Sequence, residues 1–155
     1  MARRVLVIGL DCATPRFVFG DRGFSLPTLA RLMSEGAWGR LRSCDPPITV
    51  PAWSCMMSGR DPGRLGLYGF RNRPGHSYEA ARISTGHDVR EPRLWETLSE
   101  VGKQSILLGV PQTYPPRPLR GCMVSGLLTP DLSADFTYPQ ELKAELLDNL
   151  GEYII

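Results

Sequence analysis

At 155 residues, 42% of them hydrophobic and 22% charged, the chain carries enough apolar material to bury a core and too much to remain disordered. Eighteen basic against sixteen acidic side chains leave a formal charge of +2, too small and too dispersed to argue for a nucleic-acid polymer or an anionic membrane as partner. Cys12, Cys44, Cys55 and Cys122 show no C-x-x-C pair and no histidine at zinc-finger spacing, so free thiols in a reducing compartment are expected.

At the amino terminus, Arg3 and Arg4 precede only six apolar or small residues, too few for an export signal and far short of a membrane span. The expected location is therefore cytoplasmic. Those six, Val5-Leu6-Val7-Ile8-Gly9-Leu10, read as a strand covered on both faces, delivering Asp11 at its carboxyl end. Ser25 and Pro27 start a helix with Leu29, Leu32 and Met33 on one face and Gly36 just past its end. A short strand is expected over residues 38–41 and a compact helix over 52–58, closed by Gly59. The next thirty residues, rich in Gly, Pro and Arg, read as a long functional loop or lid. Pro92, Leu94, Trp95 and Leu98 mark a helix ending near Gly102, and Ser105-Ile106-Leu107-Leu108-Gly109-Val110 marks the strand that follows it. Residues 122–126 form a further short strand, and Pro139 opens a last helix with Leu142, Leu146, Leu147 and Leu150, stopped by Gly151. This alternation predicts an α/β fold on a mostly parallel sheet flanked by helices. Pro46, Pro47, Pro115, Pro116 and Pro118 read as rigid loops around a site. The apolar ending Tyr153-Ile154-Ile155 resembles a strand cut short, so residues 1–155 are expected to be the amino-terminal portion of a larger domain. Self-association would cover the sheet edge such a portion exposes.

Two residues carry the chemistry. In open α/β sheets ligands gather beyond the carboxyl ends of the strands, which suits Asp11 to a metal or a substrate; the alternative is a carboxylate capping the turn through the Ala13 or Thr14 amides. Thr49 stands just ahead of Pro51 at a helix start, where unpaired amides and the helix dipole favour an oxyanion. It is equally a plain N-cap, because threonine is a common cap and proline a common early helical residue. As a nucleophile it needs its proton removed, which a coordinated metal can bring about, and Asp11 is the obvious partner ligand. Arg60, Arg64, Arg71 and Arg73 read as a phosphate-binding rim or as solvated loop residues. Trp53, Tyr68 and Phe70 read as packing residues or as stacking partners for a leaving group, and Cys55, Met56 and Met57 as core contacts.

The ordered motifs Val-Ile-Gly-Leu-Asp-Cys-Ala-Thr-Pro at 7–15, Leu-Pro-Thr-Leu-Ala-Arg-Leu at 26–32, Pro-Pro-Ile-Thr-Val-Pro-Ala-Trp at 46–53 and Ser-Gly-Arg-Asp-Pro-Gly at 58–63 resemble the type I phosphodiesterase and nucleotide pyrophosphatase family of the alkaline phosphatase superfamily. Gly-Val-Pro-Gln-Thr-Tyr-Pro-Pro at 109–116 and Val-Ser-Gly-Leu-Leu-Thr-Pro-Asp at 124–131 are similar to one prokaryotic branch of it. The resemblance implies an alkaline-phosphatase-like fold and a site of two divalent metal ions, usually zinc, in which Asp11 is a metal ligand and Thr49 is both metal ligand and nucleophile. It also implies a small-molecule phosphodiester or nucleotide as substrate. The family's other Asp and His ligands belong to later parts of the fold, and this chain has only His76 and His87, outside any matching motif.

Cys12 stands where the family more often has glycine, and Leu65 where a histidine often precedes Gly66. Cys12 reads as a small buried side chain or as a thiolate reaching a metal. Thr49, Pro51 and Trp53 occupy the places that a sulfatase fills with Cys or Ser, Pro and Arg, which disfavours a sulfatase. The competing reading is a catalytically incomplete α/β module that acts by binding.

Overall fold

Proline opens and glycine closes many of the helices. The computed structural model describes residues 4–20, 24–73, 75, 77, 79–151 and 153, and the chain separates into two units, Met1–Arg42 and Ser43–Ile155.

The first unit holds helices α1 (Pro15–Val18) and α2 (Pro27–Glu35). As the spacing predicts, α2 begins with Pro27 and ends at Gly36, whose amide donates to the Leu32 carbonyl at 2.9 Å. An exposed pair, Arg31 with Glu35 at 2.9 Å, joins successive turns of α2. The apolar run 5–10 is not a strand here: Val5 and Leu6 are 85% and 83% exposed, and no strand occurs among the described residues of this unit. A strand needs a neighbour to take its amides and carbonyls, so hydrophobicity alone did not make one. Residues 38–41 likewise form no strand, and Trp38 instead lies against Phe19, with ring centroids 4.8 Å apart.

The second unit begins with α3 (Thr49–Ser58), three residues earlier than expected, and Gly59 closes it in the left-handed region with its amide on the Cys55 carbonyl. The stretch read as a loop is partly ordered into α4 (Pro62–Leu65), the strands β1 (Arg71–Asn72) and β2 (Arg82–Ile83) and a 3-10 turn at Gly86–Asp88. Helix α5 (Leu94–Glu100) leads to β3 (Ser105–Val110), then β4 (Gly121–Ser125), β5 (Thr137–Tyr138) and α6 (Leu142–Leu150), which Gly151 ends. Among the described residues only β3 and β4 run parallel; β4 with β5 and β1 with β2 are antiparallel, so the expectation of a mostly parallel sheet is met there in one ladder. The fold is mixed α/β. Trp95, Leu107, Leu119 and Met123 form one core under the sheet, and Leu65, Leu67 and Val89 form a second beside α3. Of the three helix residues read as core contacts, Cys55 and Met57 pack against these clusters while Met56 is exposed. Ile154 and Ile155 lie outside the described residues.

Candidate functional site

Asp11 is exposed in a tight turn of the first unit. Its Oδ1 accepts the Cys12 amide at 2.8 Å, with Cys12 Sγ 3.8 Å from the same oxygen, and Cys12 takes a left-handed φ of 59°. The turn-capping role thus falls on the Cys12 amide, in place of Ala13 or Thr14. Cys12 is exposed rather than buried, because the left-handed backbone turns the chain at this point and no core forms against it.

Thr49 is the first residue of α3, and the capping position belongs to Ile48, whose backbone is extended and whose side chain cannot cap. The plain N-cap reading of Thr49 is therefore corrected. Its half-buried hydroxyl makes no capping hydrogen bond, and the Thr49 and Val50 amides have no main-chain acceptor among the described residues. Pro51 adds no third amide. The result is a hydroxyl beside the Thr49 amide at the positive end of a ten-residue helix, backed by Val50, which is wholly buried, and by Pro51 and Ser54. Farther along α3, burial, with Cys44 and Asp61 adding, pushes the Cys55 thiol up to about 11.

Between α4, the β1–β2 pair and the segment after it lies a cavity of about 490 Å³ lined by Arg64, Arg73, Arg82 and Arg90 with Asp88 and Glu91. Glu91 accepts Nε of Arg64 at 2.8 Å and stands 3.4 Å from Nε of Arg60, while Asp88 pairs with Nη2 of Arg82. Burial raises the Asp88 carboxyl, but the Thr85 amide and Arg82 outweigh it and hold the group below its ordinary value. Tyr68 and Phe70 are exposed, which contradicts a packing role for them, and Trp53 is half-buried. Neither Tyr68 nor Phe70 meets an apolar cluster, since Leu65 and Leu67 fill the space beside α3.

The motifs at 109–116 and 124–131 both fall at the carboxyl ends of the parallel strands. There Thr113, Ser125 and Thr129 are buried and bonded together: Thr113 donates to the Val110 carbonyl at 2.6 Å and accepts the Gly126 amide at 3.2 Å, and the Ser125 and Thr129 hydroxyls lie 2.8 Å apart. Gln112, at φ 63°, keeps Oε1 buried without a partner among the described residues. Buried Arg93, the capping residue of α5 with Glu96 three residues on, ties this corner to α5 through the Gln112 carbonyl at 3.0 Å and Glu96 at 2.7 Å. Its sequence signal was that three-residue spacing at a helix start.

Among the described residues no group of three or more His, Cys, Asp or Glu is assembled to hold a metal ion. Asp11 and Thr49 lie in different units, His87 is exposed, and His76 lies outside the described residues. No described helix is long and apolar enough to cross a membrane. The family model for type I phosphodiesterase / nucleotide pyrophosphatase matches residues 5–151. Neither the curated proteins nor the solved structures contain a match.

Proposed function

Because the chain belongs to the type I phosphodiesterase / nucleotide pyrophosphatase family, we propose that it serves as a hydrolase of phosphodiester or pyrophosphate bonds in small molecules, with Thr49 as its nucleophile. The observation that carries the assignment is the hydroxyl of Thr49 beside its own amide, which has no main-chain acceptor among the described residues, at the start of α3. That amide suits a charged oxygen of a phosphoryl group, and the threonine oxygen would form the new bond to phosphorus as the bond to the leaving group breaks. Water then releases the phosphoryl group from the threonine.

Two divalent metal ions, zinc foremost, are proposed as cofactors, with Asp11 and Thr49 among the donors. They would supply the charge that acidifies the threonine hydroxyl. Asp11 has one oxygen committed to the Cys12 amide, and the other takes no hydrogen bond among the described residues. The described residues supply too few donors to close such a site, so further ligands are required. A reducing, cytoplasmic setting is proposed with this activity, because the four cysteines show no C-x-x-C pair in the sequence.

The test is turnover of an aryl phosphodiester by the protein and by Thr49→Ala, with zinc content measured on both. Loss of turnover with zinc retained is the expected result. Equal turnover would overturn the nucleophile, and no turnover by either protein would favour a module that acts by binding.

A further inference from the structure

We propose that the arginine-lined cavity of the second unit is a separate binding site for a compact polyanion of the diphosphate type. Four arginines and two carboxylates line it, for a net charge of +2, and its volume of about 490 Å³ falls within the range of small-ligand sites.

The way the carboxylates are used matters more than the count. Glu91 meets Arg64 at Nε and also Nε of Arg60, which does not line the cavity, and the terminal Nη groups of both arginines make no hydrogen bond among the described residues. Those terminal groups form the fork that matches phosphate oxygens. Asp88 takes only Nη2 of Arg82 and is itself fixed by the Thr85 amide at 2.8 Å. The side chains of Asp88 and Glu91 are 13% and 19% exposed, whereas those of Arg60, Arg64 and Arg82 are 55% to 68% exposed. The acids therefore form a lower layer that orients guanidinium groups facing outward. Arg90 adds an exposed guanidinium with no ion-pair partner among the described residues.

The position separates this site from the proposed nucleophile. Leu65, in the cavity wall, belongs to the cluster that packs on Cys55, six residues along α3 from Thr49, and six residues of helix rise about 9 Å. Thr49 does not line the cavity. A polyanion bound there is not the phosphoryl group under attack, so its binding is independent of the threonine hydroxyl.

The experiment is calorimetric titration of the full 155-residue chain with inorganic pyrophosphate, repeated on Arg64→Gln, Arg90→Gln and Thr49→Ala, with citrate as a trianion lacking phosphate. Both arginines are exposed, and thermal unfolding of each variant verifies the fold. Pyrophosphate should bind the parent chain and Thr49→Ala alike, weaken about tenfold in each arginine variant, and weaken further as salt is raised. Absence of binding at millimolar pyrophosphate, unchanged affinity in both arginine variants, or citrate binding as tightly as pyrophosphate would overturn the proposal. Loss confined to Thr49→Ala would also overturn it, moving the anion to the start of α3 while leaving the nucleophile assignment standing.

Discussion

The guanidinium of Arg93 donates to the main-chain carbonyl of Gln112 at 3.0 Å across nineteen residues of sequence, and its other arm holds Glu96 at 2.7 Å. One buried charge thus fastens the start of α5 to the loop beyond β3, while its plane lies 4.8 Å from the centre of the Trp95 ring. Replacing Arg93 with methionine keeps much of the volume but removes the donor to the Gln112 carbonyl and one partner of Glu96, which keeps Arg117 at 3.6 Å and the residue-93 amide at 2.8 Å. A loss of about 3 kcal/mol is expected. Urea unfolding of Arg93→Met measures it, and a change close to zero would show that the pair contributes little net stability.

Gly126 allows the two parallel strands to close at their carboxyl ends. A Cβ there would stand 2.3 Å from the Gly109 carbonyl oxygen and 2.9 Å from that of Val110, both main-chain atoms that cannot swing aside. Gly126→Ala should cost roughly 2 kcal/mol or more. At Gly69, where nothing lies within 4 Å of the added atom, alanine should change stability by no more than about 0.5 kcal/mol. Paired thermal melts of the two variants make the comparison.

Acid should destabilise the second unit through two carboxyls. Burial raises both, but Thr85 with Arg82 holds Asp88 below its ordinary 3.8, and Arg93 with Arg117 holds Glu96 below its ordinary 4.5. A carboxyl whose pKa falls on folding contributes fully above its unfolded value, and that contribution is lost as pH falls through the folded value. The melting temperature should therefore drop from about pH 5 downward. Asp88→Asn should flatten part of that slope, and an unaltered acid limb would assign the loss to other groups.

Thr49→Ala should separate function from folding. The hydroxyl caps nothing and Thr49 is only half-buried, so the variant should unfold within about 0.5 kcal/mol of the parent. A loss several times larger in chemical denaturation would mean that Thr49 holds the start of α3 together.

The cysteines should differ in reactivity. Cys12 is exposed, whereas Cys55 is half-buried and its thiol is pushed up to about 11, chiefly by burial. Iodoacetamide at mildly alkaline pH should modify Cys12 well before Cys55, as followed by peptide mass spectrometry. The reverse order would mean that α3 opens readily around Cys55.

What the amino-acid sequence determined by itself was local. Gly36, Gly59 and Gly151 end their helices where the spacing says they should, and the β-rich run Ser105–Val110 is a strand, because helix stops and strand preference act over a few neighbouring residues. The ordered motifs likewise identified the family across residues 5–151. Tertiary structure decided what depends on partners distant in the chain. The run 5–10 stayed out of any strand for want of a neighbour, and β5 joined its sheet antiparallel to β4. Arg64 found Glu91 twenty-seven residues away, turning a stretch of loop arginines into one wall of a cavity. Arg93 meets Glu96 through a local capping pattern, but its bond to the Gln112 carbonyl nineteen residues away follows from where the chain returns.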